Sequence, residues 1–236
     1  MIFRTILFGL FAGLIAACGN ISYGVSDGVR LADLDMDGAP PTEIVLAGAD
    51  AIDIVEGATF DVRIDGSEDA RSRILFERDG DTLIVGRGGN DWSMSDDIAT
   101  ITVTVPELRG ATIGGSGKMT IASLTGDANV TIGGSGMMEI ERIAADNLTA
   151  TVAGSGTMRG AGTTENLKLA IGGSGDVDFT DVQVGSAEVD VGGSGSAEFA
   201  SDGDVIANIG GSGDVRVNGE ASCTANTFGS GDLVCG

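Results

Sequence analysis

Histidine is absent from these 236 residues, so no imidazole is on hand for a catalytic triad, a Cys-His nucleophile or a His-ligated metal. Lysine occurs twice, as Lys118 and Lys168, and the 13 Lys and Arg face 35 Asp and Glu for a net charge of −22. A nucleic-acid footprint needs clustered base, so no nucleic-acid partner is expected, and the folded part is equally unsuited to an anionic membrane surface. Only 3 prolines and 4% aromatic residues are present, against 40 glycines. No helical period stands out, and the composition reads as all-β. The one long apolar run, Ile6 to Ala17, is too short to cross about 30 Å of hydrocarbon and reads as a signal-peptide core.

What the chain has in abundance is one corner. A GSG triplet, written GGSG in most copies, recurs seven times between Ile113 and Gly231, at Ser116, Ser135, Ser155, Ser174, Ser194, Ser212 and Ser230. The steps are 19, 20, 19, 20, 18 and 18 residues, which is a repeat architecture. Three residues before the serines stand Ile113, Ile132, Val152, Ile171, Val191, Ile209 and Thr227; three after stand Met119, Met138, Met158, Val177, Ala197, Val215 and Leu233. Apolar residues alternate with polar or small ones on both sides of the corner, so each repeat is expected to contribute two short strands with the apolar side inward. One such unit cannot cover its own apolar side. Stacked as coils about 4.8 Å apart, seven of them span roughly 29 Å and share one core. Parallel crossovers are right-handed, so the expected fold is all-β, a right-handed parallel β-helix with about seven GSG coils and an irregular N-terminal capping β region.

Three regions are delimited. Residues 1–17 are the signal peptide, and Ile15-Ala16-Ala17-Cys18 resembles the lipobox of bacterial lipoproteins. The resemblance implies cleavage before Cys18, lipidation of its sulfur, and membrane attachment through that lipid. Gly19 rather than Asp after the cysteine implies outer-membrane sorting. Residues 18–42, rich in Gly, Ser and Asp with Ala39-Pro40-Pro41 at the end, read as a tether. Within it Asp33 to Gly38 superficially resembles the start of a calcium loop, but the closing glutamate that such a loop needs is absent from its place. Residues 43–236 are the solenoid, beginning with strands at 43–46, 52–56, 59–65, 72–77 and 82–86. Asp79-Gly80 makes a hairpin turn, and a polar loop from Gly86 to Asp97 holds the only tryptophan, Trp92.

These irregular strands, an element from Asp79 to Val85, a strand ending in Val105-Pro106-Glu107-Leu108, and the stacked corners together resemble the head GIN domain family of auto-transporter adhesins over about residues 43–236. The resemblance implies a secreted or lipid-anchored β-solenoid with a structural or adhesive role and no catalytic set to carry over. No catalytic residue, cofactor or resident metal is expected, and the ligand class is a glycan or a surface protein. Two other functions compete. A carbohydrate-active β-helix enzyme needs paired carboxylates in a groove. A weak cation site would use Asp176, Asp214 and Asp232, each two residues after a serine. Cys223 and Cys235 fall at inward positions of the last coil, and export to an oxidising compartment predicts a disulfide between them. The alternative is two buried thiols acting as apolar filler.

Overall fold

The computed structural model describes residues 25, 28–88 and 97–236. The leader, the lipidation candidate Cys18 and Trp92 lie outside the described residues.

Strands β1 (Glu43–Gly48) and β2 (Ala51–Glu56) open the domain, followed by β3 (Asp61–Asp65), helix α1 (Glu68–Arg73), the hairpin β4 (Ile74–Asp79) and β5 (Thr82–Arg87), and β6 (Thr100–Val105). The corner region begins with β7 (Gly110–Gly115), β8 (Lys118–Ile121) and β9 (Leu124–Gly134). Three strands then bend round whole coils: β10 (Met137–Gly154), β11 (Thr157–Gly173) and β12 (Asp176–Gly193). It closes with β13 (Ser196–Ser201), β14 (Asp204–Gly211), β15 (Asp214–Asn218), β16 (Ser222–Gly229) and β17 (Leu233–Cys235). Every pairing from β7 onward is parallel, and equivalent residues sit in register: Ile113 on Ile132, Val152 on Ile171, Ile171 on Val191, Val191 on Ile209. The chain is a parallel β-solenoid of about seven turns, with the apolar columns forming its core.

Each coil has three sides, where the sequence alone suggested two. In β10 the buried residues run Met138 and Ile140, then Ile143 and Ala145, then Leu148, Ala150 and Val152, interrupted by the exposed doublets Glu141-Arg142 and Asp146-Asn147. Each doublet is a corner: two adjacent side chains cannot both point outward from an extended strand, so the alternation resets where the chain bends. The interior is fitted coil by coil. Gly160 occupies an inward position beneath Ile140, and a Cβ there would lie 3.1 Å from the Phe179 ring of the following coil. Phe179 in turn stacks on Phe199, both fully buried.

The N-terminal unit caps one end of the stack. β1 and β2 form a coil without the GSG signature, lying directly on β7 and β8 with Leu46 over Ile113 and Ile52 over Met119. β5 and β6 lie parallel on the other side of β1 and β2, and β4 and β3 finish that end by pairing antiparallel with β5 and β6. Chain order and stacking order therefore differ. The chain runs out to the cap and returns past β1 to start β7.

Two expectations are corrected here. Ser72 and Arg73 belong to α1, not to a strand: Ser67 accepts the Ala70 N–H at 3.0 Å, Glu68 and Asp69 occupy the positive first turn, and Arg73 pairs with Asp69 at 2.8 Å. The described part of the presumed tether, residues 25 and 28–42, is packed onto the cap. Val29 and Phe76 exchange two backbone hydrogen bonds of 2.8 Å, and Leu34 is buried. The Arg78 guanidinium donates to the carbonyls of Asp35, Asp37 and Ala39 at 3.1, 3.2 and 2.7 Å, with its carbon 5.4 Å from the Phe60 ring centroid.

Candidate binding surface

The three glycine positions of the corner do different work. The second, as in Gly134, Gly154, Gly173, Gly193 and Gly211, has φ between +124° and +136°, and a Cβ there would collide with the backbone of the glycine one coil above. The third is buried: a Cβ on Gly175 would sit 2.8 Å from the Gly156 carbonyl oxygen and overlap Val152. The first is open. A Cβ on Gly172 would meet nothing within 4 Å, one on Gly192 or Gly210 would find its nearest atom at 3.8 or 3.7 Å, and none of the three has positive φ. Ala153 and Phe228 hold the same column, which confirms that the backbone accepts side chains there.

The open column leaves a bare strip along the side formed by β14 and its equivalents, whose outermost column carries exposed side chains, Thr149, Lys168, Glu188 and Ile206 among them. Next to it runs Thr112, Thr131, Thr151, Ala170, Asp190, Asn208 and Asn226, in which Asn208 donates to Asp190 at 2.8 Å and Asn226 to Asn208 at 2.9 Å. The seven serines border it on the other side, all exposed. Six of their N–H groups anchor the corner to the glycine carbonyl one coil up at 2.8 to 2.9 Å, as in Ser174 to Gly154. The hydroxyls are left for solvent or a ligand, with Ser212 and Ser230 joined at 2.9 Å. The result is a strip of hydroxyls, amides and bare backbone that repeats with each coil, bordered by the column of Lys168, Glu188 and Ile206.

The side after the serines is charged instead. Its outward column reads Thr120, Glu139, Arg159, Asp178, Glu198 and Arg216, with Arg159 and Asp178 at 3.6 Å and Lys118 reaching Glu139 at 3.6 Å. These exposed pairs contribute about 1 kcal/mol or less each. Beside it the proposed cation column is taken up by its own contacts: Asp176 accepts the Ser196 hydroxyl at 2.6 Å and Asp214 the Asp232 N–H at 3.1 Å. Among the described residues no group of three or more Cys, Asp or Glu side chains is placed to hold a metal ion. The short second side carries a shallow, open groove of about 620 Å³ bordered by Asp146, Glu165 and Asp202. A ladder of Asp127, Asn147, Asn166 and Ser186, linked at 2.6 to 3.0 Å, runs along its edge.

Two features hold the ends. At the cap, Asp50 stands where the coil below has the third corner glycine, Gly117, and is 1% exposed. Arg87 clamps it with two bonds of 2.8 and 2.6 Å, and the Ala99 N–H donates to it at 2.9 Å. The hydrogen bond to Asp50 raises the Arg87 pKa further above its ordinary value, so the guanidinium stays charged. No sequence signal marked this pair, because its members are 37 residues apart and neither belongs to a repeat. At the other end Cys223 and Cys235 are joined by a disulfide with Cα atoms 6.5 Å apart, in register below Val205 and Val217. Cys235 is exposed and Cys223 half-buried.

A family model described as putative auto-transporter adhesin, head GIN domain, matches residues 40–221, and the chain belongs to that family. Among solved structures the fold is similar to a putative adhesin of Bacteroides fragilis, with a TM-score of 0.71 at 20% identity, covering 83% of this chain and 90% of that one. It is also similar to a putative lipid binding protein of Parabacteroides distasonis, with a TM-score of 0.65 at 21% identity over 84% and 94% of the two chains. A putative adhesin of Parabacteroides merdae aligns with a TM-score of 0.64 at 18% identity over 83% and 92%. No curated protein matches the sequence.

Proposed function

We propose that this is a non-enzymatic, lipid-anchored β-solenoid of the cell envelope that adheres to an extended, uncharged glycan through the flat side bearing the open glycines. The observation that carries the reading is that column. Glycine costs conformational entropy in a strand, and at Gly172, Gly192 and Gly210 neither φ nor packing requires it. A bare backbone flanked by Ser, Thr and Asn side chains lets a ligand approach closely and offers donors and acceptors at each coil. A net charge of −22 repels anionic polymers, so the ligand is neutral or cationic. The adhesin family and the adhesin names of similar structures support this reading against the enzyme alternative. The purified protein is expected to retain on a neutral polysaccharide column and to pass an anionic one. Retention only by the anionic polymer would argue against the surface proposed.

The lipobox-like stretch ending at Cys18 supports export and outer-membrane anchoring. Mass spectrometry of the native protein should find an N-terminus at Cys18 with added acyl mass. A mature protein recovered from the soluble fraction without that mass would contradict the anchor.

A further inference from the structure

Val25 sits on the side that carries the open glycines. It is 2% exposed and covers the cap's own copy of that column: Ala47 is in register with Gly86 on one side and Gly114 on the other, and a Cβ on Gly86 would stand 3.0 Å from a Val25 methyl. Residues 28–42 add no slack, because the Val29–Phe76 bonds, Leu34 and the three carbonyl contacts of Arg78 hold them to the cap. Seven residue steps separate Val25 from Cys18, and at full extension they span at most roughly 25 Å. The solenoid from Ala47 to Phe228 is longer, seven coil spacings or about 34 Å.

Charge is spread unevenly over the three sides. Residues 110–236 include 5 basic and 16 acidic side chains, and the glycine side carries only Lys168, Glu188 and Asp190 of them. The cap is no nearer neutrality, with 6 Arg against 14 Asp and Glu over residues 28–88. The glycine side also bears Phe228, 80% exposed, and Ile206, 48% exposed. Both belong to columns that point outward at every coil, Phe228 in line with Gly210 and Ile206 with Glu188. We infer that the open-glycine side faces the membrane that holds the anchor, and that the uncharged glycan it takes is the sugar headgroup of a lipid in that membrane. The inference rests on both readings above, the anchor at Cys18 and the binding strip.

A link shorter than the solenoid keeps the cap close to the lipid, so the coils meet the same membrane whichever side turns down. The second side is the one farthest from Val25, and it carries the acidic groove of Asp146, Glu165 and Asp202. The side after the serines would press Asp176, Asp178, Asp214 and Glu198 against the lipid, and standing the molecule on its cap would bring down 14 carboxylates. Each of these poses desolvates charge. The glycine side instead lays hydroxyls, amides and two apolar side chains on the interface, the mixture that such a boundary accepts. Anionic headgroups are disfavoured by the net charge of −22, whereas an uncharged sugar offers hydroxyls to the serine and Asn208–Asn226 columns.

The test uses the chain from Cys18 to Gly236, which contains every described residue. With Cys223 and Cys235 bridged, Cys18 is its one free thiol and can be coupled to a maleimide lipid, so the anchor is supplied whether or not the native protein is acylated. Hydroxyl-radical footprinting then compares the uncoupled chain with the chain on phosphatidylcholine vesicles, with and without a digalactosyl lipid. On the vesicles containing the sugar lipid, Phe228 and Ile206 should lose most of their reactivity. Met137 and Val55, exposed on strands of the side after the serines, should keep theirs. Protection should be weaker on phosphatidylcholine alone. Unchanged reactivity of Phe228 and Ile206, protection of Met137 and Val55 in their place, or equal protection with and without the sugar lipid would each overturn the inference. Retardation by free neutral polysaccharide reads the strip separately, and acyl mass on the native Cys18 reads the anchor. A chain that passes both and is unprotected on the vesicles fails this inference alone, and a chain that fails either removes the corresponding reading and this inference with it.

Discussion

Gly173→Ala is expected to destabilise the solenoid by about 3 kcal/mol or more, while Gly172→Ala, one residue earlier, changes stability by no more than about 0.5 kcal/mol. At Gly173 φ is +124°, a region that L side chains rarely adopt, and the new methyl would drive into the Gly154 backbone one coil above. Separating the two coils to relieve the clash would stretch the Ser174 to Gly154 hydrogen bond of 2.9 Å and loosen the core columns on both sides. At Gly172 φ is not positive and the methyl meets nothing within 4 Å. It also lowers the entropy of the unfolded chain, so a small gain is within the expected range. Urea denaturation of the two variants reads the difference directly. Equal destabilisation by both would mean that the first glycine has a structural duty after all, and the argument for a bare binding side would lose its basis.

Asp50→Ala should cost about 3 to 5 kcal/mol, the range for breaking a buried charge pair from one side. The Arg87 guanidinium, 20% exposed, would lose two hydrogen bonds and keep the one to the Asp97 carbonyl at 2.6 Å, and the Ala99 N–H would lose its acceptor. The damage should be local. Asp50 joins the β1–β2 turn to both ends of the segment between β5 and β6, so hydrogen exchange should rise in β5 and β6 while the coils from β9 onward stay protected. Arg87→Lys should fail to substitute, because one ammonium cannot span both carboxylate oxygens and the Asp97 carbonyl in the same plane. A loss below about 1 kcal/mol for Asp50→Ala would show that water reaches the pair and that it does not hold the cap.

The regular part of this fold was legible because its determinants are local and periodic. The columns headed by Ile113 and Met119, the parallel register and the corner at each serine all follow from spacing. The third side was legible in principle: Glu141-Arg142 and Asp146-Asn147 break the alternation in β10, and Asp181 with Thr180 does so in β12. Those breaks fall midway between successive serines, outside the alternation that flanks each corner. Residues 28–42 could not be placed, since they are held by backbone bonds to Phe76 and by the single side chain of Arg78 and bear no apolar period. Helix α1 carried its signal in Ser67, Glu68 and Asp69, overridden by the β-rich surroundings. The candidate surface was half visible. The Thr ladder and the serines stood out, but that the three corner glycines are unequal depends on which neighbour each Cβ would meet, a three-dimensional fact.

On the proposed function, the flat side with the open glycines, and not the acidic groove of the second side, engages the ligand. Affinity electrophoresis in neutral polysaccharide, comparing Gly172→Trp with Gly192→Trp against Asp146→Asn with Asp202→Asn, puts the two surfaces in direct competition. The tryptophan pair stands on a column that already accepts Phe228, so it should fold normally and lose at least about tenfold in affinity, while the groove pair retards like the unaltered protein. Retention of binding by the tryptophan pair together with its loss in the groove pair would contradict the claim.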